Sequence, residues 1–242
     1  MFVSDSCRGI PFFVSKVSRV FKKLSAYQKH RRALFCEAAD RIVREERSSG
    51  GDCLRQGYYH PSIIADIVVG GVKRGKLLKR ITARSKPNFR YGFDADDRLI
   101  YTESPYNREI IIHEGQMDIG LSFDKADNVA DGYSEALYDK GRLQTYAEFT
   151  AAYVQVDPVI RRRITECRRE EYTYTENKMI VDWYDCFFGK KGAPIFSHDR
   201  YVFCVENGLL KTYTVYEYGA DGCLKDSVGN GRQFDVYRER KI

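Results

Sequence analysis

The sequence predicts an α+β protein: a basic, mainly helical N-terminal module over residues 1–86, followed by a large antiparallel β-meander over residues 87–242. Three observations carry this prediction. Apolar residues recur at helical spacing between Val14 and Arg47, and from about Pro87 onward the apolar period changes to two. The 18 Tyr and 14 Phe, against a single Trp, suit pleated surfaces on which flat rings pack.

In the first module, Val17, Val20, Phe21 and Leu24 share one helical stripe, and Leu34, Phe35, Ala38, Ile42 and Val43 continue it. Lys16, Arg19, Lys22 and Lys23 fill the remaining surface. No proline interrupts the run; Ser25 or Tyr27 is the expected position of a break, and Arg47 to Asp52, with two glycines, is the expected end. The apolar segment SIIADIVVGG after Pro61 suits either a short helix starting at Ser62 or a buried strand.

The second module is a series of hairpins. In YGFDADDRLIYTES (Tyr91 to Ser104), aspartates whose side chains cap local amides reverse the chain between two alternating runs. Further turns are expected at Glu114-Gly115, at Glu176-Asn177, at Asn207-Gly208 and at Ala220 to Gly222. Counting the alternating runs predicts about 10–12 antiparallel strands in a curled sheet or irregular barrel.

ALYDKGRL (from Ala136) and YEYGADGCL (from Tyr216) resemble the tyrosine-aspartate (YD) repeats of Rhs-type proteins, whose core reads Tyr-Asp-x-x-Gly-x-Leu. Asp94 and Asp139 hold the central acid of that pattern, whereas Glu206 and Gly219 replace it in the other copies. Similar hairpin repeats occur in small bacterial cytosolic proteins encoded with polymorphic toxins, including immunity proteins. The resemblance covers the second module alone. It implies a β-hairpin-repeat architecture and a cytoplasmic, protein-binding role, with a cognate toxin domain as partner.

Charge divides along the same line. Residues 1–86 hold 19 Lys and Arg against 7 Asp and Glu, whereas the remainder holds 21 against 27. A basic module attracts nucleic acid or an acidic protein, and an acidic module attracts a basic partner. No apolar run reaches the roughly 20 residues that span a bilayer. The N-terminal apolar core near Ile10 to Val14 is too short for a secretory signal, so a cytosolic location is expected. Seven cysteines without a C-x-x-C pair read as reduced core fillers, and four dispersed histidines give no zinc spacing.

Chemistry-bearing motifs are sparse. GGVKRGK (Gly70 to Lys76) satisfies most of a phosphate-binding loop, but Leu77 stands where magnesium coordination requires Ser or Thr. The segment reads instead as a basic turn, with Lys73, Arg74, Lys76 and Lys79 as candidate anion contacts. Asp94 to Asp97 lacks the glycine and distal glutamate of a calcium loop. His113-Glu114 falls in a hairpin turn, and Arg161 to Arg163 reads as a solvated strand edge. IVDWYDCFF (Ile180 to Phe188) carries apolar residues at both parities, so one face is either covered or presented to a partner. Trp183 and Tyr184 are the candidate partner contacts. The sequence therefore predicts a non-enzymatic protein without cofactor or metal, binding a protein partner. The alternative is nucleic-acid binding through the basic module.

Overall fold

The computed structural model describes residues 9–49, 56–65, 76–80, 82, 85, 87–156, 159–188, 194–219, 222–225 and 231–235. One long helix, α1 (Gly9–Arg41), is followed by β1 (Arg44–Ser49), β2 (Lys76–Leu77), β3 (Phe89–Phe93), β4 (Leu99–Glu103), β5 (Asn107–Glu114) and β6 (Met117–Asp124). Then come β7 (Ala130–Asp139), β8 (Arg142–Val156), β9 (Val159–Tyr174), β10 (Lys178–Phe187), β11 (Ile195–Glu206), β12 (Leu209–Tyr218) and β13 (Arg232–Asp235). Eleven of these strands, β3 to β13, lie in residues 87–242, within the expected range.

Packing divides the chain into residues 22–134 and residues 1–21 with 135–242, so the compact units do not follow the charge boundary near residue 86. The first unit orders its strands β2-β1-β3-β4-β5-β6, and the second runs β8 to β13 in sequence order, with β7 crossing the division. The pairings within each unit are antiparallel, and neither run closes on itself. The fold is thus α+β with an open meander, which corrects the irregular-barrel alternative.

In the first unit, one face of the sheet receives α1. The Phe35 ring centroid lies 5.1 Å from that of Phe123 and 6.5 Å from that of Tyr101, and Leu24 and Ala38 of the same helix are buried. Gln28 ties the helix to the sheet by donating to the Asn128 carbonyl (3.1 Å) and accepting from the Ala130 amide (2.6 Å). The opposite face carries Phe89, Tyr91 and Phe93, against which Tyr59 and Leu77 pack.

Two expectations for the N-terminal region are corrected. The helix runs unbroken past Ser25 and Tyr27, and it stops at Arg41 rather than Arg47. Arg44–Ser49 is a strand, with Arg44 paired to Phe93 and Ser48 to Phe89. REER has good helix propensity, but tertiary pairing overrides it. The Val43 amide donates to the Phe93 carbonyl (2.9 Å), the Arg44 guanidinium lies 3.7 Å from the Phe93 ring centroid, and Glu45 pairs with Arg90. After Pro61, Ser62 Oγ accepts from the Ala65 amide at 2.9 Å and opens a helical turn. The rest of that segment lies outside the described residues.

In the second unit, the first turns of α1 cover one face of β8–β11. Phe13 is fully buried beside Phe12, and these rings meet Phe196 and Phe149 at 6.5 and 6.4 Å. Ile164, Cys167 and Cys186 are buried, and the two cysteines are cross-strand neighbours. They fill core space as expected, whereas Cys36 and Cys223 are exposed.

The turns follow their chemistry. Asn207-Gly208 and Lys140-Gly141 both take positive φ, which two-residue hairpins require. Asp94 caps the Asp96 and Arg98 amides at 3.1 and 3.0 Å, confirming the turn reading of that carboxylate cluster. Arg161–Arg163 pairs with β8, and the ladder to β10 among the described residues begins at Glu166. No helix among the described residues is long and apolar enough to cross a membrane.

Candidate protein-binding surface

Successive side chains of an extended strand point to opposite faces, so Trp183 and Tyr184 cannot serve one surface. Tyr184 is buried under the start of α1, with its ring 6.2 Å from that of Phe196 and 4.5 Å from that of His198. His198 stacks in turn on Tyr218 at 4.5 Å. This ladder crosses β10, β11 and β12 because Tyr184 pairs with His198, and His198 with Tyr218. Burial pushes the Tyr184 phenol up to about 12.

Asp182, two residues away, anchors the ladder. It bonds His198 Nε2 at 2.9 Å and accepts both Arg200 Nε (2.8 Å) and an Arg200 terminal nitrogen (3.0 Å). Burial pushes the Asp182 pKa up, but the hydrogen bonds from His198 and Arg200 outweigh it and hold the group below the usual range. Tyr184 is therefore a packed member of a satisfied polar-aromatic network.

Trp183 lies on the other face, half-buried and without an aromatic ring neighbour among the described residues. Its cross-strand partners are Asp199 on β11 and Glu170 on β9. Four residues along, Phe187 is 48% exposed and pairs with Ile195, which is 68% exposed. Acids surround this apolar strip: Glu166 opposite Phe187, Asp185 between Trp183 and Phe187, and Glu217 opposite Asp199. Among the described residues, Arg168 and Lys225 pair with two of them. Arg168 is 2.6 Å from Glu166, and Lys225 is 3.5 Å from Glu217.

Burial raises two of these acids, and neighbouring charges act in both directions. Asp199 is pushed up to about 6, first by burial and then by Glu217 directly across the ladder. Lys225 and His198 pull it down, and Asp185 adds to the rise. Asp185 is raised too, chiefly by burial, with Arg168 opposing and Glu166 and Glu148 reinforcing the shift. Like charges directly opposite on adjacent strands destabilise a sheet.

The sign for Asp199 follows from linkage. Its folded pKa lies above the usual carboxylate value, so folding favours the protonated form, and stability falls as pH rises from about 4 through 6. Asp199→Asn should stabilise the protein at pH 7 by about 1 kcal/mol, after discounting for solvent screening, and leave it unchanged at pH 4. Urea unfolding at the two pH values measures this, and an equal effect at both would refute the charge argument.

Lys73 and Arg74 lie outside the described residues. Lys76 and Lys79 are exposed, and Lys76 begins β2, an antiparallel strand paired with β1, where a phosphate-binding loop would begin a helix. Sequence reasoning singled out Trp183 within IVDWYDCFF, but not Ile195 or Asp199 beside it, because the register that gathers them is set by pairing between strands. No family model, curated protein or solved structure matches the chain.

Proposed function

We propose that this chain is a non-enzymatic bacterial cytosolic protein-binding protein, an immunity protein that neutralises a cognate toxin domain. The observation that carries the reading is the exposed Phe187–Ile195 pair beside Trp183, rimmed by Glu166, Asp185, Asp199 and Glu217. An aromatic and aliphatic centre within a charged rim is the layout that supplies binding energy at a protein interface. The rim selects a basic partner such as a nuclease domain, because a cation from the partner relieves the Asp199–Glu217 repulsion. The hairpin-repeat resemblance supports the same role.

Co-expression with the product of the neighbouring gene tests this. Growth inhibition by that product should be relieved by the wild-type protein and not by Phe187→Asp, whose exposed position lets the variant fold. Equal protection by both proteins would remove this face from the binding site.

A second reading, nucleic-acid binding, rests on α1. No acid occurs between Asp5 and Glu37, and Lys22, Lys29 and Arg32 are exposed without an ion pair among the described residues. Affinity for random duplex DNA falling steeply with salt would favour it over the protein-partner reading.

A further inference from the structure

Arg47 on β1 and Arg90 on β3 face each other directly across the ladder. Like charges in that position repel unless anions intervene. Arg90 has its anions: Nε lies 3.0 Å from Glu45 Oε1, a terminal nitrogen bonds the same oxygen, and Glu103 lies 3.9 Å away. Lys125 is also engaged, donating to Glu103 at 2.8 Å and to the Ser104 carbonyl at 3.2 Å. Among the described residues Arg47 has only Glu45, at 3.7 Å, and shares that carboxylate with Arg90. Its Nε is buried and finds no hydrogen-bond acceptor among the described residues.

Arg47, Arg90, Glu103 and Lys125 line a cleft of about 330 Å³ with Pro87, Asn88, Pro105 and Phe89. Among its lining residues are three cations and one carboxylate, Glu103. Lys76 extends from the same side of the sheet as Arg47, because it pairs with Ser49 two residues along β1. Arg47 is the least compensated of the three lining cations, and an anion bound in the cleft would offset its charge.

We propose that this cleft binds the phosphate group of a phosphate monoester. Arg47, Asn88 and Lys125 line the cleft from three separate segments, which suits a tetrahedral group with three terminal oxygens better than a planar carboxylate with two. Arg47, whose one ion pair among the described residues is loose, supplies the forked donor to the phosphate oxygens. The remaining volume, walled by the two prolines, takes the organic part of the ester.

The test is calorimetric titration of the full chain with phenyl phosphate, inorganic phosphate and benzoate at low salt. Phenyl phosphate should bind with a dissociation constant of ~1 mM or tighter and inorganic phosphate more weakly, both losing affinity as salt rises. Arg47→Gln should weaken phenyl phosphate at least tenfold, whereas Lys178→Gln, an exposed change on β10, should not. Arg47 has a single loose ion pair among the described residues, so the variant should fold, and an unchanged unfolding midpoint confirms it. Benzoate binding as tightly as phenyl phosphate would overturn the phosphate assignment. Absence of saturable phosphate binding, or binding indifferent to Arg47→Gln, would overturn the site. Both outcomes leave the toxin-binding reading untouched, because the cleft and the Trp183 strip belong to different compact units.

Discussion

Gly120→Ala is expected to destabilise the protein by about 3 kcal/mol, at the upper end of what inserting a methyl into a packed site costs. Gly120 sits on β6 opposite Ile111 of β5, and a Cβ there would lie 2.7 Å from Glu109 Oε1, 3.2 Å from Gln56 Nε2, and against Ser134 Oγ. None of these neighbours can withdraw cheaply. Glu109 is 3% exposed, and it accepts from both the backbone and the side-chain nitrogen of Gln56 at 3.2 Å. Moving the carboxylate away strands those donors in a buried layer, where a lost hydrogen bond carries its full desolvation cost. Gly115→Ala is the control. That residue has φ of +63° but nothing within 4 Å, so only backbone strain is added, about 1 kcal/mol. Urea unfolding of both variants should show a much larger midpoint shift for Gly120→Ala with the slope unchanged. Equal shifts would mean that the polar layer around Glu109 yields freely.

That polar layer also marks the limit of what the sequence discloses. The hairpins were legible because their determinants are local: Asn207-Gly208 accepts positive φ, and Asp94 caps its own turn. The helix was legible from the spacing of Val20, Leu24 and Ala38, all buried. Its end was not, because REER favours helix locally and becomes a strand only by pairing with Phe89–Phe93, some 45 residues later. Nothing near Glu109 or Gly120 announces that these residues meet Gln56, since the contact depends on a segment more than 50 residues upstream.

The candidate surface divides in the same way. Trp183 could be named from its own strand, because apolar residues at both parities are a local anomaly. Its surroundings could not be named, because Asp199, Glu217 and Ile195 gather through the β10–β11–β12 registers. Tyr184 shows the cost of reading a strand without its neighbours. Adjacent in sequence to Trp183, it closes a stack with His198 on the opposite face. The open meander carries one consequence for binding. Each hairpin adds its strand beside the last, so a face spanning β9 to β12 is built from four consecutive strands and can be presented as one rigid surface.

On that surface, Trp183→Ala should weaken binding of a basic protein partner by about 2 kcal/mol or more, roughly a thirtyfold loss, because an indole at the centre of a desolvated strip contributes far more than its rim. The loss should appear mainly in the dissociation rate. Glu217→Gln, at the rim, should act differently: its charge steers the approach, so the association rate should fall and the salt dependence flatten, with little change in dissociation. Asp199→Asn separates the two roles further. It removes a repulsion that costs stability in the free protein, yet it also removes the charge a partner cation would meet, so the variant should be more stable at pH 7 and bind less tightly. Binding by the wild type should strengthen as pH rises through about 6, because Asp199 must ionise to receive the cation, and that dependence should vanish in Asp199→Asn. Surface plasmon resonance at pH 5 and 7.5, with wild type and the three variants, reads all of these together. Affinity that is indifferent to Trp183→Ala and to pH would move the interface off this face and leave the basic stripe of α1 as the contact to pursue.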